Sequence, residues 1–223
     1  MGNSGSYCQC GSRPCDPLSG NINDICCRAK ERPAAAAAVS SVSIPQQAQP
    51  VKLIASILYG EAGIDEIALQ KLQEEFAATD YVSPVLPFDF TDYYADELGS
   101  TLFRRLVSFE RLISPEALPD IKLFANRLEA QLARADGTRR VNIDPGYVSL
   151  WHMVLASCKP FAHRPYLGKG VYADLTLLYR RKSFVPLAWT FPDYRSHEMI
   201  TLLNAIRQRY YQQMKRESVL RSQ

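Results

Sequence analysis

From Pro50 onward the chain alternates apolar runs with amphipathic stretches, and this pattern lays out most of its elements. The run "VKLIASILYG" (51–60), closed by glycine, has the length and flanks of a buried strand. In "IDEIALQKLQEEF" (64–76) the residues Ile64, Ile67, Ala68, Leu72 and Phe76 recur on one helical face, and Asp65 and Glu66 suit the positive end of a helix. "YVSPVLPFDFTDYY" is extended and broken by proline, and "TLFRRLVSFERLI" alternates like a strand. Ser114-Pro115-Glu116 opens a helix with a cap and a proline. Leu118, Ile121, Phe124, Ala125, Leu128 and Leu132 form its apolar stripe.

Further on, "RRVNIDPGYVSL" reads as a strand that enters a turn at Asp144-Pro145-Gly146. "WHMVLASC" fits a buried strand or a short helix. "VYADLTLLYRRKSFVPL" predicts a hairpin that turns near Arg181-Lys182-Ser183, with Val171, Ala173, Leu175, Leu177 and Tyr179 on one face. Ser196 caps a last long helix that turns Met199, Leu203, Ile206, Tyr210 and Met214 inward. The succession predicts a single α+β domain over residues 49–216, with a mixed, largely antiparallel sheet and about three main helices. Residues 217–223 are expected to fray.

Residues 1–48 follow no sustained period and are rich in Gly, Ser, Pro, Gln and Ala. They predict a disordered, low-complexity tail, because too little apolar surface is available to offset the entropy of ordering. Five of the six cysteines lie there (Cys8, Cys10, Cys15, Cys26, Cys27), without the paired C-x2-C spacing of a structural zinc site. The start "MGNSGS" fits a short myristoylation motif and lacks the apolar core of a secretory signal. No stretch reaches the ~20 apolar residues of a membrane-spanning helix. These features point to a protein with no membrane-spanning helix.

The net charge of +3 hides an asymmetry. Residues 49–138 carry eight basic and fifteen acidic side chains, and residues 139–182 carry eight basic and two acidic. The later segment can form an anion-attracting patch, unless folding interleaves the two and cancels it.

Six blocks in order, "PFDFTDYY", "SFERLI", "IKLFANRLE", "VNIDPGYVSL", "AHRPYLGKGVYADLTLLY" and "WTFPDYRS", resemble a bacterial family catalogued as domain of unknown function 4416. The resemblance covers about residues 50–216 and implies a bacterial, cytoplasmic, one-domain protein, in which myristoylation has no place. It implies no activity, cofactor, partner or site residue.

Four segments place polar groups where plain loops do not need them. Asp89 and Asp92 are three apart and could converge as a metal or base pair, or else Thr91 or Asp92 caps a turn. Asp144 sits at the expected end of a strand, either as part of a turn or as a catalytic carboxylate. In "AHRPYLGKGVYAD", Gly168-Lys169-Gly170 forms either a plain hairpin tip or a turn whose amides and lysine hold an anion. His163 is the best general acid or base by its ordinary pKa, and extended geometry would turn it away from Arg164. His152, in an apolar run beside Trp151, reads as a hydrogen-bonded core histidine. In "WTFPDYRS", Trp189, Tyr194, Arg195 and the intervening Asp193 could grip a ring and a phosphate, or the aromatics could plug the core. Cys158 lies among apolar residues, with Lys159 its only neighbouring cation.

No Walker loop, Rossmann fingerprint, H-E-x-x-H or serine-hydrolase order is present, so no motif identifies an enzyme, a cofactor or a metal site. Two readings follow. In the first, the protein binds an anionic ligand: a nucleotide, a phosphorylated compound or an RNA segment. Arg164, Gly168, Lys169, Gly170, Arg180, Asp193 and Arg195 would frame it, and Trp189 or Tyr194 would stack on it. If the protein is catalytic, His163 and Asp144 form its acid–base pair in a hydrolytic or transfer reaction. In the second, it is a protein–protein or scaffold module oriented by its acidic and basic halves.

Overall fold

The structure is a computed structural model that describes residues 43–91 and 93–220. Contacts divide the chain into residues 1–45 and 46–223, and all the elements below belong to the second unit. The tail cysteines, the acylation motif and Asp92 lie outside the described residues; residues 43–48 have no secondary structure.

The elements run β1 (Val51–Tyr59), α1 (Ile64–Phe76), β2 (Thr79–Val82), β3 (Leu86–Phe88), α2 (Ala95–Leu98), β4 (Leu102–Ile113), α3 (Leu118–Leu132), β5 (Val141–Val148), β6 (His152–Ser157), β7 (Tyr166–Gly168), β8 (Val171–Arg180), β9 (Ser183–Pro186) and α4 (His197–Leu220). Among the described residues the fold is α+β, with one nine-stranded sheet and three main helices. The strand order is β2-β4-β1-β5-β6-β8-β7, with β3 sharing the outer edge of β4 with β2 and β9 sharing that of β8 with β7, and each pairing is antiparallel. Both β4 and β5 run against β1, so they are parallel to each other, and α3 makes the crossover between them.

β1 is buried at each of its nine positions because helices cover both faces of the sheet. Its odd-numbered side chains, Leu53, Ala55, Ile57 and Tyr59, pack on Ile64, Ala68, Leu72 and Phe76 of α1 and on Ile121, Ala125 and Leu128 of α3. On the opposite face Ile54, Leu106, Met153 and Leu177 meet Met199, Leu203 and Ile206 of α4. Ser196 caps α4 as its sequence predicts, its hydroxyl accepting the Met199 N–H at 3.2 Å. Of the α1 stripe only Ile67 departs, remaining 45% exposed. Ser114 makes no side-chain cap; Pro115 instead opens a 3-10 turn that runs into α3. α4 stays helical as far as Leu220. Among the described residues no helix is long and apolar enough to cross a membrane.

Two expectations are corrected. Asp144-Pro145-Gly146 is not a turn: β5 passes straight through it, with Ser56 opposite Asp144, Ala55 opposite Pro145 and Ile54 opposite Gly146. Gly146 is needed for close approach, since a Cβ there would lie 2.3 Å from the Val154 carbonyl oxygen. In β8 the residues 171–179 do not share one face. A register shift sets Leu175 against Val154 and Leu177 against Met153, leaving Thr176 as the extra residue. A one-residue slip reverses a strand's faces. Val171, Ala173 and Leu175 therefore pack with Leu118 of α3, and Leu177 and Tyr179 pack into the α4 core. The hairpin turn falls at Arg181-Lys182, where φ is +51° and +67°.

Candidate functional site

The site begins with a fault in the sheet. β5 stays paired to β1 along its whole length, and β6 stays paired to β8 from His152 to Ser157. The two halves meet only where Gly146–Val148 pair with Met153–Leu155. Pro145 has no N–H to donate, so the ladder stops there and the strands part. The open edge of β5 is not left bare. Lys122 of α3 donates from Nζ to the Ile143 carbonyl at 3.0 Å, and Glu129, two turns along, accepts the Ile143 N–H at 2.6 Å. These two side chains do the work of a neighbouring strand, and they hold a gap where one would have been.

That gap is a cleft of about 870 Å³, a size usual for small-molecule sites. Lys122, Asn126 and Glu129 of α3 close one side, and Arg104 of β4 and residues 191–194 form part of the other. Phe88, Phe90, Tyr93 and Tyr94 make an aromatic wall, with Phe161 and Phe191 also in the lining. Five cationic side chains (Arg104, Lys122, Arg139, Lys159, Arg164) and four carboxylates (Glu129, Asp144, Asp174, Asp193) supply the charge of the lining.

Most of these charges are paired. Asp144 receives Lys122 Nζ at 3.2 Å and Asn142 Nδ2 at 2.7 Å. Burial works to raise its pKa, but Lys122, the Asn142 amide and Arg104 outweigh it and hold the carboxyl below its usual range. Burial pushes Glu129 up, against the pull of Lys122 and the Ile143 N–H. Arg139 pairs with Glu97 and donates to Asn142 Oδ1 at 3.0 Å. Arg104 pairs with Asp193 and lies over the rings of Phe88 and Tyr194, 4.6 and 5.1 Å from their centroids. Its Nε and the Tyr194 hydroxyl are buried without a well-formed hydrogen bond, although Ser56 lies near enough to act on the phenol. Burial raises the Tyr194 pKa, and burial together with Asp144 pushes Tyr94 up to about 12.

At the mouth, Arg164 Nε donates to Asp174 at 2.8 Å, and its Nη1 donates to Ser157 Oγ and the Lys159 carbonyl at 3.2 and 3.1 Å. Extended geometry would separate His163 from Arg164, but the Arg164 N–H bonds back to the Phe161 carbonyl in a turn. The two side chains therefore converge on the same oxygen, with His163 Nε2 3.5 Å from Asp174 Oδ2. His163 also stacks on Trp189 at 5.1 Å, and Trp189 donates to the Leu175 carbonyl at 2.8 Å.

Of the residues singled out from sequence, Thr91, Asp144, Cys158, Arg164, Asp193 and Tyr194 line the cleft. His163 and Trp189 stand behind Arg164 and do not line it, and His163 and Asp144 have separate partners. Gly168-Lys169-Gly170 is a hairpin tip: the Gly170 amide donates to Tyr166 Oη, and Lys169 reaches out to Asp120 at 2.6 Å. Arg180 is exposed at the end of β8, and Arg195 ties the 187–190 loop through three carbonyls. Thr91 caps its turn by accepting the Tyr93 N–H. His152 is half-buried against Tyr147, and burial lowers its pKa. Cys158 lies at the cleft, where its sulfur accepts from Asn126. Among the described residues no three His, Cys, Asp or Glu side chains converge as metal ligands.

Lys122, Glu129 and Arg104 escaped the sequence reading, although each left a mark. Lys122 and Glu129 lie seven apart beside the buried stripe of α3, and Arg104 occupies the inward position between Leu102 and Leu106.

Compared with known proteins, residues 49–210 match the family described as Domain of unknown function (DUF4416), and the chain belongs to that family. No curated protein and no solved structure matches it.

Proposed function

We propose that this member of the family binds a small anionic molecule with a planar part, a nucleotide or another phosphorylated compound, in the cleft between β5 and β6. One observation carries the reading. The split sheet gathers five cationic side chains and an aromatic wall around a cavity of ligand size. Aromatic walls offer a planar group a stacking face, and fixed cations offer an anion charge-assisted hydrogen bonds.

The arrangement favours a small ligand over an RNA segment. A polynucleotide needs a track of cations along a surface. Of the four cations expected to form it, only Arg164 reaches the cleft, while Lys169 and Arg195 are engaged elsewhere. The scaffold reading asks for separate acidic and basic faces. The two segments instead pair with each other, through Arg139 with Glu97, Arg140 with Glu61 and Lys169 with Asp120. The proposal is one of binding, without a chemical step. The bacterial, cytoplasmic setting implied by the sequence resemblance belongs to it.

The test is a thermal-shift screen against nucleotides, sugar phosphates, carboxylates and divalent metals. A ligand that binds the native state raises the melting temperature by mass action. A phosphorylated compound is expected to do so in the wild type and to lose the effect in Arg164→Ala. A screen in which no anion shifts the melting temperature would reject the reading.

A further inference from the structure

Lys159 differs from the other cations of the cleft. Arg104, Lys122, Arg139 and Arg164 each pair with a carboxylate. Among the described residues Lys159 has no such partner. Its ammonium donates to Tyr93 Oη at 2.8 Å and sits 4.7 Å from the centroid of the same ring. Tyr93 is itself 63% exposed.

The backbone of Lys159 is held at both ends, its N–H by Ser157 Oγ at 3.1 Å and its carbonyl by Arg164. Arg164 is fixed in turn by Asp174, which is 3% exposed. A braced backbone thus presents an ammonium that, among the described residues, meets only a phenol hydroxyl at the surface. Such a contact is weak, since an exposed cation–π pair and one neutral acceptor add little over water. An anionic oxygen makes a shorter and stronger bond to the same ammonium, and a lysine is a compact point charge well suited to phosphate.

We infer that the Tyr93 hydroxyl occupies the place on Lys159 that the ligand's phosphate takes, so that Tyr93 competes with the ligand and sets its affinity. The phosphate then lies at the mouth of the cleft, and the planar part of the ligand lies inward among the rings. This rests on the binding reading above and adds to it an orientation and a competitor.

The experiment is calorimetric titration of the full chain with inorganic pyrophosphate and with adenosine monophosphate, on the wild type, Tyr93→Phe, Lys159→Met and the double variant. Melting curves serve as folding controls. Tyr93→Phe keeps the ring and removes the hydroxyl, so it is expected to tighten binding by about two- to tenfold. Lys159→Met is expected to weaken binding by at least about tenfold. In the double variant the gain from Tyr93→Phe is expected to vanish, because the competition needs the ammonium. If the wild type binds neither probe, this inference fails; if in addition no anion in the screen shifts the melting temperature, the binding reading fails with it. If the wild type binds and Tyr93→Phe is unchanged or weaker, the inference alone fails.

Discussion

Replacing Lys122 with Met tests whether α3 stands in for a missing strand. The stem of the side chain is kept in volume, and the ammonium is lost. The Ile143 carbonyl, inside the sheet, then has no donor; leaving a buried acceptor unpaired costs about 1–3 kcal/mol. Asp144 also loses its cation, but a third of its side chain reaches the cleft and solvent screens it, so that loss adds at most about 1 kcal/mol. Removing a buried charge returns part of its desolvation cost. The expected net effect is about 2 kcal/mol, or a fall in melting temperature of roughly 4–8 °C for a unit of this size. Lys169→Met is the control, because Lys169 and Asp120 are 58% and 64% exposed and their ion pair stabilises little. Urea denaturation of both variants gives the comparison, read as a change of midpoint at constant slope. If Lys122→Met is no more destabilising than Lys169→Met, the open edge of β5 is satisfied by something else and the strand-surrogate account is wrong.

Gly146→Ala places a methyl 2.3 Å from the Val154 carbonyl oxygen and should cost roughly 3 kcal/mol by thermal denaturation; wild-type stability would mean that β5 and β6 are not so close. Arg181→Asn with Lys182→Gly puts residues that tolerate positive φ where both angles are positive, and should raise the melting temperature by a few degrees, whereas a fall would contradict the turn geometry. Burial raises the Glu129 pKa, so the folded state holds that proton more tightly than the unfolded chain, whose carboxyl titrates near ~4.3. The associated stability is complete below that pH and is lost as pH rises through the folded value. Glu129→Gln cannot titrate, so its stability relative to wild type should improve as pH rises above about 4, and a difference independent of pH would refute the assignment.

The elements were legible in the sequence where one physical signal dominated. The 3.6-residue stripes of α1 and α3 and the cap at Ser196 place their helices correctly, because burial and capping are local choices. Asp144-Pro145-Gly146 misled because the same three residues serve a turn or a strand beside an open edge, and the neighbours decide. β8 misled because its sequence alternates regularly while an extra residue, Thr176, shifts its register against β6. The candidate site was only partly visible for the same reason. Arg164 and Asp144 announce themselves in sequence, but the cleft is made by the place where β5 and β6 part. Lys122 and Glu129, which hold its edge, come from a helix that looked like ordinary core packing. The glycine-flanked Lys169 was the most conspicuous cation in the chain, and it forms a hairpin tip.

Lysine footprinting with an amine-acylating reagent tests most directly whether an anionic ligand occupies the cleft. The full chain is labelled with and without a phosphorylated compound that stabilises it, and modification is read by mass spectrometry. Lys159 is expected to be protected by the ligand, while Lys169 at its hairpin tip and Lys182 in the β8–β9 turn keep their reactivity. Protection at Lys169 or Lys182, with Lys159 unchanged, would contradict the account.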